Sequence, residues 1–418
     1  MSVLVRDGLV AAMGEEVAAP AGATVVEGRG RTLMPGLVDM HVHIWDEAEL
    51  GGYLARGITT IRNASGMPFH LAIRDRIAAG DLIGPRLITT GPILNGHGPN
   101  EQINHMLVDT PEEARKAVRK QYAMGFRRLK VYSNLSRGAY DAIREEAQQL
   151  GMTIMGHPVE GVREPGMPRD KPFNIKFEEL LDDHYVTMEH MESVVWHGLR
   201  NELDEDKARA LAKEIAAAGV PVDPTLLAFY GLMRAAETKG EYLHRPGVEL
   251  LNPFIVPMLK AEYDRWSNED VASARRYMDF YKRATKIFQE EGVLMVTGTD
   301  AGIFSNVPGD SEITELRLLT ESGLTPYQAL QAATWNPARA LHESDRVGRV
   351  APGYRADLIL VDGDPLSDAT LAGSPDAVVA DGRLLSRDDL QALRAGAANP
   401  PLERTETNLM AGLAAQGG

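Results

Sequence analysis

Met34-Pro35-Gly36-Leu37-Val38-Asp39-Met40-His41-Val42-His43-Ile44 starts with a Pro-Gly turn and runs into an apolar stretch carrying two histidines. Side chains two apart on a strand project to the same side, so His41 and His43 would point together toward a shared cation. Alone, His-x-His is a weak signal; its place as the first of eight similar runs gives it weight. Seven further apolar runs recur along the chain: ITTIRNA from 58, RLITTGPI from 86, RRLKVY from 127, TIMGHP from 153, YVTMEH from 185, PVDPTLL from 221 and LMVTGTD from 294. Amphipathic stretches such as EEARKAVRKQYAMG, AYDAIREEAQQLG and DKARALAKEIAAAG lie between them. Thr110-Pro111-Glu112-Glu113 offers an N-cap, a proline at the first helical position and a capping-box glutamate. Gly125, Gly151 and Gly219 stand where helices should stop. This alternation predicts an α/β chain folded as a (β/α)8 TIM barrel.

On either side of this region, residues 1–33 and 347–385 hold short strand-like runs, ATVVEG, RADLILVDG and DAVVADGRLL, separated by turn-forming Gly and Asp. They predict one small β-sandwich-like domain built from both ends, flanking a barrel over 34–346, with 386–418 as a peripheral tail. Residues 227–291 are too long for an ordinary barrel loop and carry Phe229, Tyr230, Tyr242, Phe254, Tyr263 and Trp266. They read as a helical insertion with its own small core, as a lid over the mouth where βα loops build sites, or as both.

Among 418 residues, 44 Lys and Arg face 59 Asp and Glu, a formal charge of −15. That excess argues against nucleic acid or an anionic membrane as partner. No run reaches the length of a spanning helix, and MSVLVRDGLVAAMGEE is too interrupted for an export signal, so a cytoplasmic protein is expected. With no cysteine and 11 histidines, disulfides, thiolate nucleophiles and Cys-held zinc are all excluded. Any metal must be held by His, carboxylates or something rarer.

Three more candidate ligands fall at the ends of predicted strands: His157 in TIMGHP, His190 in VTMEH and Asp300 in VTGTD. Each alone could be a core histidine or a helix-capping aspartate. Four His and one Asp on the same rim of one barrel are hard to obtain by accident. Lys130, in Arg128-Leu129-Lys130-Val131-Tyr132, lies near the end of the fourth run. A buried lysine is partly neutral and nucleophilic, and can add CO2 to become an anionic carbamate; an exposed or ion-paired lysine is the ordinary alternative.

The chain resembles the amidohydrolase superfamily of metal-dependent hydrolases in MPGLVDMHVH, LKVYS, GHP, EHMES, GTDAG, TPYQALQAATWNPARAL and GRVAPGYRADLILVDGDPL. The likeness, over residues 21–385, points to its dipeptidase or imidazolonepropionase-like branch. It implies that His41, His43 and Asp300 hold the more buried of two divalent ions, most simply zinc, and that His157 and His190 hold the other. It further implies a carboxylated Lys130 bridging the ions, and a small-molecule amide or dipeptide-like substrate cleaved by a metal-bridging hydroxide. Asp300 would accept the water's proton and pass it to the leaving nitrogen. Members of such families commonly associate, so a homo-oligomer is expected.

Several of these residues admit competing readings. Glu160, three residues after His157, has the spacing of a proton-shuttling glutamate in single-metal deaminases and cyclic-amide hydrolases, or it simply meets Arg163. Lactone or ester hydrolysis, and a metal-free scaffold role, are further alternatives. His97 could meet a substrate carboxylate or the oxyanion as a catalytic group, or bond within its Gly-rich loop. Arg62 and Asn63 close the second run and would face the mouth. Tyr132 would share the side of Lys130, lining a substrate site or packing in the core. Tyr230 could donate to a substrate carbonyl if its segment folds over the pocket.

Overall fold

The computed structural model describes residues 1–99, 101–102, 104–163 and 173–417. Two short strands, β1 (Ser2–Arg6) and β2 (Leu9–Gly14), form an antiparallel hairpin. β3 (Thr32–Pro35) then leads into β4 (Leu37–Val42), the strand of the histidine pair, and β5 (Ile58–Asn63) follows. Next come β6 (Arg86–Thr89), β7 (Ile93–Asn95), β8 (His105–Leu107), β9 (Arg128–Val131), β10 (Thr153–Gly156), β11 (Met188–Glu189) and β12 (Val222–Asp223). β13 (Leu358–Val361), β14 (Pro375–Ala380) and β15 (Arg383–Ser386) end the series.

The α/β class follows from parallel pairing. One parallel sheet runs β4-β5-β6, and another runs β12-β11-β10-β9-β7-β8. The RLITTGPI run is divided between them: β6 pairs with β5, β7 pairs with β9, and Gly91-Pro92 stands at the break, where proline has no N–H to give. LMVTGTD forms no full strand: an isolated bridge joins Val222 to its Met295, and another joins Val42 to Ala301 just beyond it. Its backbone still bonds both neighbours: Val222 N–H donates to the Leu294 carbonyl, and Asp300 N–H donates to that of His41 at 2.7 Å. Gly298 explains the tight fit there, since a Cβ would fall 1.9 Å from the Asp223 carboxylate.

Helices alternate with these strands, and their ends match the caps read from sequence. Thr110 accepts from Glu113 N–H at the start of Pro111–Met124, and Gly125, Gly151 and Gly219 take left-handed φ at helix ends. β3 joins β13, β14 and β15 in an antiparallel sheet, and Val10, Ala356 and Leu358 pack the hairpin against it. Among the described residues no helix is long and apolar enough to cross a membrane.

Residues 226–290 hold the helices Leu226–Thr238, Lys260–Ser267 and Val271–Glu290. The last residues, expected as a peripheral tail, instead form Arg387–Ala397 and Leu402–Gly417, both docked on the body. Arg394 pairs with Asp310 at 2.7 Å, and Arg404 Nε donates to the buried Asp46 at 2.8 Å. Leu409 packs with Met67, Ile255 and Trp45. The run RDDLQALRAGAA carries a short helical pattern, and buried Leu390, Ala397 and Leu409 join these charge pairs in the docking.

Candidate active site

Alternation along β9 sends Lys130 inward between Leu129 and Val131, with Met155 of β10 and Ile93 of β7 beside it in register. Only 1% of Lys130 is exposed, and burial lowers its ammonium pKa to about 8 although Glu189 and Asp300 oppose the shift. Its Nζ lies 3.2 Å from His41 Nε2. His41 Nδ1–H donates to Glu189 Oε2 at 2.7 Å, which leaves Nε2 as a lone pair facing that point. Asp300 Oδ1 stands 3.2 Å from His41 Nε2 and 3.0 Å from His43 Nε2. His43 Nδ1 is paired with Ser65 Oγ at 2.8 Å. The His190 ring lies 4.7 Å from His41 and 4.4 Å from His157, so the strand-end ligands gather on one rim.

Backbone strain contributes to this gathering. His190, Thr225 and Asp300 all take positive φ, at 67°, 42° and 56°, a conformation that costs of order 1–3 kcal/mol for a residue with a Cβ. At His190 the turn breaks the strand's alternation, and adjacent Glu189 and His190 both serve the centre.

The donors suit divalent metal. Burial lowers His41 to about 3 and His190 to about 4, and drives His157 well below the usual imidazole range, so all three are neutral imidazoles with lone pairs to offer at pH 7. Burial pushes Asp300 up, but His41 and His43 outweigh it and hold the carboxyl ionised. Lone pairs of His41 and Asp300 converge, and His157 Nδ1 is buried without a partner among the described residues. Ligand atoms of His41, His190 and Asp300 lie within 4.8 Å of one another. Such a set of acceptors calls for a cation.

Beneath the ligands runs a network that sequence reasoning missed. Glu189, fully buried, accepts from Arg62 Nη2 at 3.0 Å and from Thr187 Oγ. Burial pushes Glu189 up, yet Arg62 and His41 hold it below the usual carboxylate range. Arg62 does not face the mouth: it is 1% exposed and also donates to the Met40 carbonyl at 2.6 Å. Asn63 is likewise internal, accepting from Ile44 N–H at 3.0 Å. The only sequence hint was Glu189 standing next to a candidate ligand.

Two neighbouring cavities of about 580 and 540 Å³ share Tyr132, His157, His190, Glu262, Arg265, Asp300 and Phe304 as walls, with Arg265 3.7 Å from the Glu262 carboxylate. One reaches His41, His43 and Lys130; the other reaches Glu160, Trp196, Phe229, Trp266 and Tyr281. Tyr132 therefore stands in the site, its ring 4.0 Å from that of His157. Glu160 lines the second cavity, paired with Arg163 at 2.7 Å, and burial raises it to about 7 against the pull of Arg163. His97 and Tyr230 are not brought in. His97 is exposed and pairs with Asp109 at 2.6 Å, while Tyr230 lies under the Arg317 guanidinium at 5.3 Å, on neither cavity wall. Arg265, on the helix Lys260–Ser267, borders both cavities and was not singled out in sequence.

Residues 32–385 match the family model described as Amidohydrolase family. The chain belongs to the amidohydrolase family. This family member is a metal-dependent hydrolase of amide-type C–N bonds. Ochratoxinase of Aspergillus niger is 23% identical, the match covering 90% of this chain and 80% of that one. Imidazolonepropionase of Deinococcus radiodurans is 26% identical over 90% of both chains. Among solved structures, bottromycin amidohydrolase superposes with a TM-score of 0.71 at 27% identity, covering 96% of this amidohydrolase and 86% of its own chain. A Xaa-Pro dipeptidase with methionine bound in its active site has a TM-score of 0.68 at 20% identity, with 92% and 94% covered, a likeness of fold.

Proposed function

We propose that this amidohydrolase is a (β/α)8 barrel enzyme that cleaves the amide of an N-acyl amino acid or dipeptide-like substrate carrying an aromatic or apolar portion. His41, His43 and Asp300 would hold one divalent ion and His157 and His190 a second, with a carboxylated Lys130 between them and zinc the natural occupant. The observation that carries this reading is the buried Lys130 amine, 3.2 Å from His41 Nε2, with Asp300 gathered on the same imidazole. Metals bound there would acidify water and polarise a carbonyl. Asp300, ionised and facing the cavity, is the group to take the proton of the attacking water and deliver it to the leaving nitrogen. Trp196, Phe229, Trp266 and Tyr281 give the neighbouring cavity an aromatic wall, and Arg265 offers a cation to a substrate carboxylate. Names of similar proteins, an ochratoxinase and a Xaa-Pro dipeptidase, fit that chemistry.

Metal analysis and a substrate panel test the proposal. Near two ions per chain, with hydrolysis of N-acyl amino acids or dipeptides that Lys130→Ala abolishes, is the expected result. One ion per chain, full activity in Lys130→Ala and dependence on Glu160 would favour the single-metal deaminase or cyclic-amide reading, for which Glu160 on the cavity wall is the supporting observation. Lactone turnover with no amide turnover would overturn the amidase assignment.

A further inference from the structure

Far from the ligand rim, at the opposite ends of β6 and β9, a cavity of about 300 Å³ is lined by Arg74, Arg86, Arg127, Arg128, Arg355 and a single carboxylate, Asp381. Five guanidinium groups around one cavity are unexpected in a chain of net charge −15. Most have structural work. Arg86 makes a bidentate pair with Glu343 at 2.6 and 2.7 Å, and Arg355 is held by Asp357 at 2.8 Å and Asp381 at 3.2 Å. Arg74 leans on its neighbour Asp75 at 2.8 Å.

Arg128 and Arg127 differ. Arg128 is half-buried at the first position of β9, yet among the described residues no carboxylate lies within 4.0 Å of it and its guanidinium donates no hydrogen bond. Arg127 is fixed by the Tyr122 and Phe126 carbonyls at 3.0 and 2.8 Å and by the Tyr122 ring at 4.1 Å, again with no carboxylate. Removing a guanidinium from water with only the more distant Glu343 carboxylate to oppose the cost, itself already paired with Arg86, is unfavourable, and a core needing only bulk there would be served by Leu or Met. The cavity instead presents an unused planar donor fork, with paired arginines behind it that supply positive potential and stay in place.

We propose that this cavity is a binding site for a compact phosphate-bearing anion, separate from the ligand rim, with Arg128 as its central contact and Arg127 and Arg74 closing around it. At about 300 Å³ it stands at the small end of ligand cavities, which suits inorganic phosphate or a small phosphate ester rather than a nucleotide.

Isothermal titration of the metal-loaded enzyme with inorganic phosphate, at constant ionic strength, tests this. Expected is one saturable site per chain, weakened at least tenfold by Arg128→Gln and severalfold by Arg127→Gln, a surface change that leaves the fold intact. Glycerol phosphate is expected to compete with phosphate, whereas chloride and acetate at equal ionic strength are not. Phosphate binding that survives in both variants, or that disappears when a chelator strips the metals, would assign the anion to the metal ligands and overturn the proposal. No saturable binding to the wild-type enzyme would overturn it as well.

Discussion

Glu189 is the residue whose loss should reveal how the proposed metal ligands are supported. Its carboxylate serves His41 at 2.7 Å and Arg62 at 3.0 Å, and both it and Arg62 are essentially inaccessible to solvent. Glu189→Gln keeps the shape but removes the charge, leaving the Arg62 guanidinium buried without its direct partner. Breaking a buried pair in this way costs about 3–5 kcal/mol. Arg62→Met should cost less, because Lys130 and His41 still face Glu189. The double variant should lose about 2 kcal/mol less than the sum of the single losses, since no orphaned charge remains. Metal affinity should behave differently: a neutral amide oxygen holds the His41 ring less firmly and makes it a weaker donor to metal than the carboxylate does, so both Glu189→Gln and the double variant should bind metal about 10–100-fold more weakly. Glu189 has a depressed folded-state pKa, so its stabilisation is present above the ordinary 4.5 and is lost as pH falls below it. Urea unfolding at pH 7 and at pH 4, with chelator competition for the metal, measures both effects. Additive stability losses, or unchanged metal affinity in Glu189→Gln, would refute the reasoning.

Three further outcomes are expected. Glu315 on the helix Asp310–Glu321 accepts from Leu226 and Leu227 N–H at 3.0 and 2.7 Å, so Glu315→Ala should cost about 2–6 kcal/mol in urea unfolding, and Glu315→Gln about half as much. Glu160 holds its proton to about 7 in the folded chain but to only 4.5 when unfolded. Its contribution is fully present below 4.5 and lost as pH rises through 7, on the order of 3 kcal/mol, so the melting temperature of Glu160→Gln should fall less than wild type over that window. Leu409→Ala should cost about 2–5 kcal/mol and raise protease sensitivity of the segment around Ile255, as read by limited proteolysis.

Much of the site was legible because it depends on period and position. His41 and His43 follow from strand alternation, and Lys130, His157, His190 and Asp300 from standing at or near strand ends. What escaped depends on backbone or on distant partners. The positive φ of His190 turns Glu189 and His190 toward one centre, which alternation alone forbids. Gly298 reads as a weak spot in a strand, yet it is the close approach that admits Asp223 beneath His41. His97 sat in a promising glycine-rich loop, but Asp109, twelve residues on, draws it to the surface. Tyr230 shares its helix with Phe229, and one helical step of about 100° is enough to put only Phe229 on the cavity wall.

Charge balance in the centre connects the support network to the chemistry. With Lys130 as an ammonium, two cations, Lys130 and Arg62, face two carboxylates held ionised, Glu189 and Asp300, while burial pushes the neighbouring Asp223 carboxyl up. Those four charges then balance one another. Converting Lys130 to a carbamate changes its charge from +1 to −1 and leaves the buried centre two charges short, a cost that burial makes prohibitive without cations. On the proposed carbamate reading, carbamate and metal would therefore arrive together, and the neutral histidines around them would contribute lone pairs without adding charge. Arg62 cannot shift to relieve the deficit, being fixed to the Met40 carbonyl and Thr187. On that reading Arg62 and Glu189 set the electrostatic baseline for Lys130 as amine or proposed carbamate, which gives a buried arginine, costly in itself, a role under the site.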